Sequence, residues 1–269
     1  MGKLSRAMDG FNTLDELSRL DTSVHRLHPI AKVTATLLFV AAVVSSNRLD
    51  IAGLCPYFLY PFLMAAFAEV PVGQLFHRAL PALPFVLFAG LSNILFDRAP
   101  FLQVGALTVS RGVASCIVLV EKTLLSVTAV LLLSATTPNA KLLASLERMG
   151  VPKILITTCM LCFRYLSLLL EEADAMTRAY HLRAVRQKGI EMRHMGSFVG
   201  QLLLRSSDRA GRIYSAMQCR GFNGSYHAGK PQKFTAGDGM FVLAMAAALT
   251  LLRFYGFTRL IAAILGGVS

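Results

Sequence analysis

The sequence predicts an all-α integral membrane protein with about five transmembrane helices and a cytoplasmic or interfacial set of further helices. Three observations carry this reading. Of 269 residues, 55% are hydrophobic and only 16% are charged, whereas soluble domains carry roughly 25% charged residues. The mean hydropathy of +0.56 is an excess that so short a chain cannot hide in a soluble core, and it excludes disorder as well. Positive charge is gathered in one place: residues 136–235 hold 15 Lys+Arg against 6 Asp+Glu, a net of +9 out of +12 for the chain.

The apolar runs are read in order, against the about 20 residues that cross a bilayer. Lys32 to Arg48 encloses the first charge-free run, and Ile51 to Ala68 is the second. Ala79 to Phe96 is the third, with Pro81 and Pro84 near its start, where proline is tolerated. The fourth runs from about Gly112 to Ala135 and contains Glu121-Lys122; the fifth runs from about Gly239 to Leu265, interrupted by Arg253 and Arg259. The chain therefore divides into a membrane part at 1–135, a basic segment at 136–235 and a last span within 236–269. Residues 1–28 are polar and of mixed charge, without the pattern of a cleavable signal peptide. Basic loops favour the cytoplasmic side, so the segment 136–235 and the N-terminus are expected inside and the C-terminus outside.

The basic segment is patterned as helices. Asn139 to Met149 reads as a short amphipathic helix between Pro138 and Gly150. Pro152 opens a second helix, to about Arg186, and a third runs from Glu191 to about Arg220, with Gly221 at the capping position. Ile154 to Leu170 holds one charge, Arg164, and is apolar enough to resemble a span; crossing there would split the basic segment, so a helix along the inner bilayer face is expected.

The second and third helices end alike. Ala179-Tyr180-His181-Leu182-Arg183-Ala184 and Ala216-Met217-Gln218-Cys219-Arg220-Gly221 both read A-x-x-x-R-small, each with an acid eight positions upstream, Glu171 and Asp208. Four-residue spacing puts alanine and arginine on one face. An arginine in a last turn suits the helix dipole, which is the structural reading. The functional reading is that two matched ends present guanidinium forks to two equivalent partner sites.

With its Leu20-Asp21 and Arg26-Leu27-His28-Pro29-Ile30-Ala31-Lys32 entry, its Glu171-Glu172-Ala173-Asp174-Ala175-Met176 run and its Ser215-to-Phe222 ending, the chain resembles the T component of energy-coupling factor (ECF) transporters. The likeness is greatest to the cobalt-transport, CbiQ-type permeases; Ala184 departs from the usual glycine. The resemblance implies a non-catalytic coupling subunit of an ATP-driven importer of cobalt, with nickel as the alternative. It implies that Arg183 and Arg220, with Ala179, Ala184, Ala216 and Gly221, dock on two cytoplasmic ABC-type (CbiO-like) ATPases. It further implies a metal-binding membrane S component (CbiM-like), a small accessory membrane subunit (CbiN-like) and a place in the bacterial inner membrane. ATP and magnesium would sit on the ATPases, and cobalt or nickel on the S component.

Other signals are weaker. No G-x-x-x-x-G-K-[ST] sequence is present. Five cysteines form no disulfide framework, and most read as buried small hydrophobes; Cys159-x-x-Cys162 lacks a second ligand pair. His25 and His28 are within reach of a metal, but a surface turn is the simpler reading, and the other histidines are scattered. Glu121-Lys122 stands out, because charges inside a span usually face protein or water; a partner contact and a place near the outer headgroups are both open. A stand-alone secondary transporter would need mid-membrane polar sites and repeated spans. A membrane enzyme would need clustered acids or histidines, and a nucleic-acid binder a soluble basic module.

Overall fold

A computed structural model describes residues 18, 22–47, 51–96, 100–104, 107–183, 190–224 and 234–254. The described residues within Leu17–Pro138 and Pro231–Ser269 form one compact unit, and those within Asn139–Lys230 form another.

The first unit begins with a single turn, α1 (Ser23–Arg26), and then α2 (Pro29–Val44). Proline at the first helical position loses only an N–H that would be unpaired in any case. The next apolar run is broken into α3 (Ile51–Leu54), a 3-10 turn (Cys55–Phe58) and α4 (Leu59–Phe67). Pro56 and Pro61 account for the interruption, since proline lacks an N–H and crowds the preceding turn. The helix stops at a Schellman turn, in which the Glu69 N–H donates to Ala66 O at 3.3 Å and the Val70 N–H to Ala65 O at 3.1 Å. Glu69 takes φ 56° there, a left-handed position usually held by glycine.

The third apolar run starts earlier than its charge pattern indicates. Val72–Leu95 is helical nearly throughout, as α5 (Val72–Ala79), a 3-10 turn (Leu80–Ala82) and α6 (Leu83–Phe96). The polar Gln74, His77 and Arg78 lie on the side of α5 away from the buried Leu75 and Ala79, and so they read as a loop in sequence. Between α6 and α7 run two short antiparallel strands, β1 (Pro100–Val104) and β2 (Leu107–Ser110), paired with Val104 opposite Leu107.

Next comes α7 (Arg111–Thr136), about 39 Å long at 1.5 Å per residue. The Ser110 hydroxyl caps it by accepting the Val113 N–H at 3.4 Å. Its stripe of Val118, Leu125 and Ala129 packs with Phe39 and Val43 of α2, Leu54, Tyr57 and Leu249 of α11 (Ala236–Phe254) to form the core. Against its N-terminal half lies α6, so close that a Cβ on Gly90 would collide with Cys116 Sγ. Asn93 Nδ2 donates to Ser115 Oγ at 3.2 Å along the same seam. Such small-residue contact is how membrane helices approach one another.

Among the described residues, Val72–Leu95, Arg111–Thr136, Lys153–Arg183 and Ala236–Arg253 are long and apolar enough to cross a bilayer; Pro29–Val44 and Cys55–Phe67 are apolar but shorter. The chain is a multi-pass membrane protein. The second unit contains α8 (Asn139–Arg148), α9 (Lys153–Arg183) and α10 (Met192–Cys219). Gly150, at φ 105°, closes α8 with a second Schellman turn, its N–H on Glu147 O and that of Val151 on Leu146 O. Leu143 of α8 then packs on Ile156 and Met160 at the root of α9.

Candidate functional site: two arginine-tipped helix ends

Arg183 is the last residue of α9, and Arg220 follows α10 as its C-cap. Both are exposed, as are Ala179, Ala216 and Gly221; Ala184 lies outside the described residues. The end of α10 is closed by a complete Schellman motif. The Gly221 N–H donates to Gln218 O at 2.9 Å and the Phe222 N–H to Met217 O at 3.0 Å. Gly221 sits at φ 79°, which an L side chain adopts only with strain, so glycine here follows from the turn itself.

Three contacts set the two helices antiparallel. Glu172 accepts from Arg205 and from Arg209, the latter at 3.5 Å. The Tyr180 hydroxyl meets His194 Nδ1 at 3.1 Å, with the rings 5.9 Å apart. At the other end Thr157 Oγ1 donates to Gly224 O at 3.4 Å. Arg183 therefore lies at one end of the pair and Arg220 at the other, about 40 Å apart along α9 at 1.5 Å per residue. The sequence motif marks both tips but not what spaces them. The acid that joins the helices is Glu172, while Glu171 and Asp208 are exposed. Arg205 and Arg209, four residues apart on one face, were the legible sign of an acidic partner.

Between the tips, α10 buries no residue among those described, and it exposes Val199, Leu203, Leu204 and Tyr214. Four of the five cysteines are exposed and only Cys116 is buried, contrary to the expectation of buried cysteines. In a membrane protein an apolar neighbourhood in sequence is no guide to burial, because the outer surface is apolar too. Cys159 and Cys162 lie exposed on α9, and among the described residues no three His, Cys, Asp or Glu side chains converge as a metal site would need.

The membrane unit holds polar ties that sequence reasoning passed over. His28 is not on a surface turn: it is buried, caps α2 by accepting the Ile30 N–H at 3.2 Å, and lies edge-on to Phe234. Its own N–H donates to Asp238 Oδ1 at 2.8 Å, while Asp238 Oδ2 accepts from the Thr235 N–H and hydroxyl at 2.8 and 2.6 Å. The Thr235-x-x-Asp238 spacing is that of a helix-capping box and was the available signal. Lys122 donates to Val44 O and Ser46 O, at 3.0 and 2.6 Å. Glu121 instead falls on the buried stripe of α7, with Oε2 unpaired among the described residues.

The model of the CbiQ family of cobalt transport proteins matches residues 21–231, which takes in both arginine tips. The chain belongs to that family. It is similar to the nickel permease LarQ of Lactiplantibacillus plantarum, 37% identical over 91 residues, or 34% of this chain and 33% of the relative. It is 38% identical over 95 residues to the cobalt transport protein CbiQ of Rhodobacter capsulatus, or 34% of this chain and 38% of the relative. The chain thus spans little more than a third of the length of these two relatives. A longer likeness, 26% over 248 residues, covers 86% of the chain and 93% of the energy-coupling factor transporter transmembrane protein EcfT of Bacillus subtilis.

Proposed function

We propose that the chain is the transmembrane coupling subunit of an ATP-driven, ECF-type importer of a divalent transition metal, most simply cobalt. The observation that carries this reading is the pair of exposed arginine tips, Arg183 and Arg220, at opposite ends of one antiparallel helix pair. Two like tips on one rod match a partner that is itself doubled, as a pair of ATPase subunits is. A guanidinium is suited to each contact because it stays charged and bonds carboxylates or carbonyls with two parallel N–H groups. The apolar side chains exposed along α10 supply a surface for a membrane partner that binds the metal. ATP hydrolysis takes place on the ATPases, and the ion-paired helices transmit their closure to that partner. Membership in a family named for cobalt transport supports the choice of metal, and the likeness to a nickel permease supports nickel as the second reading.

The test is reconstitution in vesicles with and without partners. The chain alone should neither hydrolyse ATP nor accumulate metal, and uptake should require an ATPase pair together with a metal-binding membrane subunit. Uptake driven by an ion gradient with this chain alone would overturn the reading in favour of a secondary transporter. Parallel assays with cobalt and nickel separate the two metals.

A further inference from the structure

The root of each helix in the second unit braces the tip of the other. Thr157, near the start of α9, donates to Gly224 O at 3.4 Å, just beyond Arg220. His194, near the start of α10, meets the Tyr180 hydroxyl at 3.1 Å, one turn before Arg183. The two braces differ in kind. At Arg220 the main chain already closes the helix, through the Gly221 and Phe222 N–H groups, and Thr157 adds to it. At Arg183, the last residue of α9, the brace is a pair of side chains. The Tyr180 and His194 rings lie 5.9 Å apart and are tilted by 54°. From α10 itself Glu191 Oε2 approaches the same Nδ1 at 3.7 Å, so the imidazole is engaged from both helices.

Of the three contacts that set α9 and α10 antiparallel, Tyr180–His194 lies nearest Arg183; Glu172 stands about three turns back along α9. The last carbonyls of a helix lack intrahelical partners and its final turn frays. A guanidinium carried there samples many directions unless that turn is fixed. An anchor within one turn removes this freedom before a partner arrives, and the ordering cost of docking falls accordingly. We propose that Tyr180 and His194 are positioning residues for Arg183, a role that rests on the coupling reading of the two tips. Their contact fixes the last turn of α9, so that the guanidinium meets its ATPase subunit already aimed. Neither residue needs to touch the ATPase itself.

Double substitution separates aiming from folding. The full-length chain is co-expressed with its ATPase pair, and the ATPase retained on the purified chain is titrated to give an apparent affinity at equal membrane expression. Tyr180→Phe removes only the hydroxyl and should weaken retention by about fivefold, the worth of one neutral hydrogen bond. The same loss should recur in an R220A background, where the Arg183 tip is still in use. In an R183A background it should vanish, because no guanidinium is left to aim. His194→Leu should behave as Tyr180→Phe does. His194→Asn, whose amide sets an oxygen or a nitrogen where Nδ1 stood, should keep the native affinity. Equal losses in the R183A and R220A backgrounds would show a structural contact only, and would overturn the positioning role while leaving the coupling reading in place. Native affinity in both Tyr180→Phe and His194→Leu would overturn it too. Unchanged retention in R183A and R220A themselves would remove the coupling reading, and this proposal with it.

Discussion

Lys32 and Lys122 cap each other's helices. Lys32, near the start of α2, donates to Thr136 O at the end of α7 at 2.7 Å; Lys122, within α7, donates to Val44 O and Ser46 O at the end of α2. The helices are antiparallel, so each lysine meets the carbonyl end of the other, where unpaired carbonyls and the negative end of the dipole favour a cation. Arg253 of α11 adds a third contact, to Ser45 O at 3.2 Å, and ties the last helix to the same point.

The two lysines differ in burial, and this predicts unequal costs. Lys32 is 3% exposed, whereas Lys122 is half-buried and shares its helix end with Arg253. Lys32→Met strands a buried acceptor and should cost about 1–3 kcal/mol. Lys122→Met should cost clearly less, because Arg253 remains at that end. Apparent Tm in detergent checks this, and a larger loss for Lys122→Met would show that burial does not set the order.

What was legible in the sequence follows from what leaves a periodic trace. The helices of the basic segment were readable because Gly150 and Gly221 stand at left-handed caps and polar and apolar residues alternate with helical period. The arginine tips were readable for the same reason, being helix ends with a spacing. The breaks at Pro56 and Pro61 and the early start at Val72 were not, because a charge-free run says nothing of continuity and a half-polar helix looks like a loop. Lys32, His28 and Asp238 were missed because each works through a backbone group far away in the chain, and single residues leave no pattern.

The seam of α6 and α7 rests on Gly90. A methyl group there collides with Cys116 Sγ, although the thiol has room to give by rotating. Gly90→Ala should therefore cost about 1–3 kcal/mol, the range of an overpacked core, and Gly90→Leu should prevent stable assembly of the unit. Cys116→Ala combined with Gly90→Ala should restore most of the lost thermal stability. Additive losses in the double variant would refute the close contact.

Helix α9 is long and apolar enough to cross a bilayer, yet both of its ends belong to the basic segment. A crossing would leave basic residues on both faces, against the preference of Lys and Arg for one side. The expected course is along the inner surface. Arg148→Cys and His181→Cys, in a cysteine-free background, should both react with an impermeant maleimide from the cytoplasmic side alone. Labelling from opposite sides would place α9 across the membrane.

Arg183 and Arg220 carry the coupling reading, and their settings make its test discriminating. Truncating a buried, hydrogen-bonded charge at an interface typically costs about 2–5 kcal/mol, much of it from the partner group left unpaired. R183A or R220A should therefore weaken ATPase co-purification, and the double variant should abolish coupled metal uptake at unchanged membrane expression. Lysine at either position keeps the charge but not the two-pronged geometry, so rescue should be partial. The Arg220 end offers a further control. Gly221→Ala leaves the guanidinium intact but asks an L residue to hold φ 79°, at a cost of about 1 kcal/mol. Its effect should be smaller than that of R220A, and R220A/G221A should be no worse than R220A alone if the glycine acts only by aiming the arginine. Should the double arginine variant keep its ATPases and transport at the native rate, the matched tips are helix ends and nothing more, and the coupling surface must be sought elsewhere on α9 and α10.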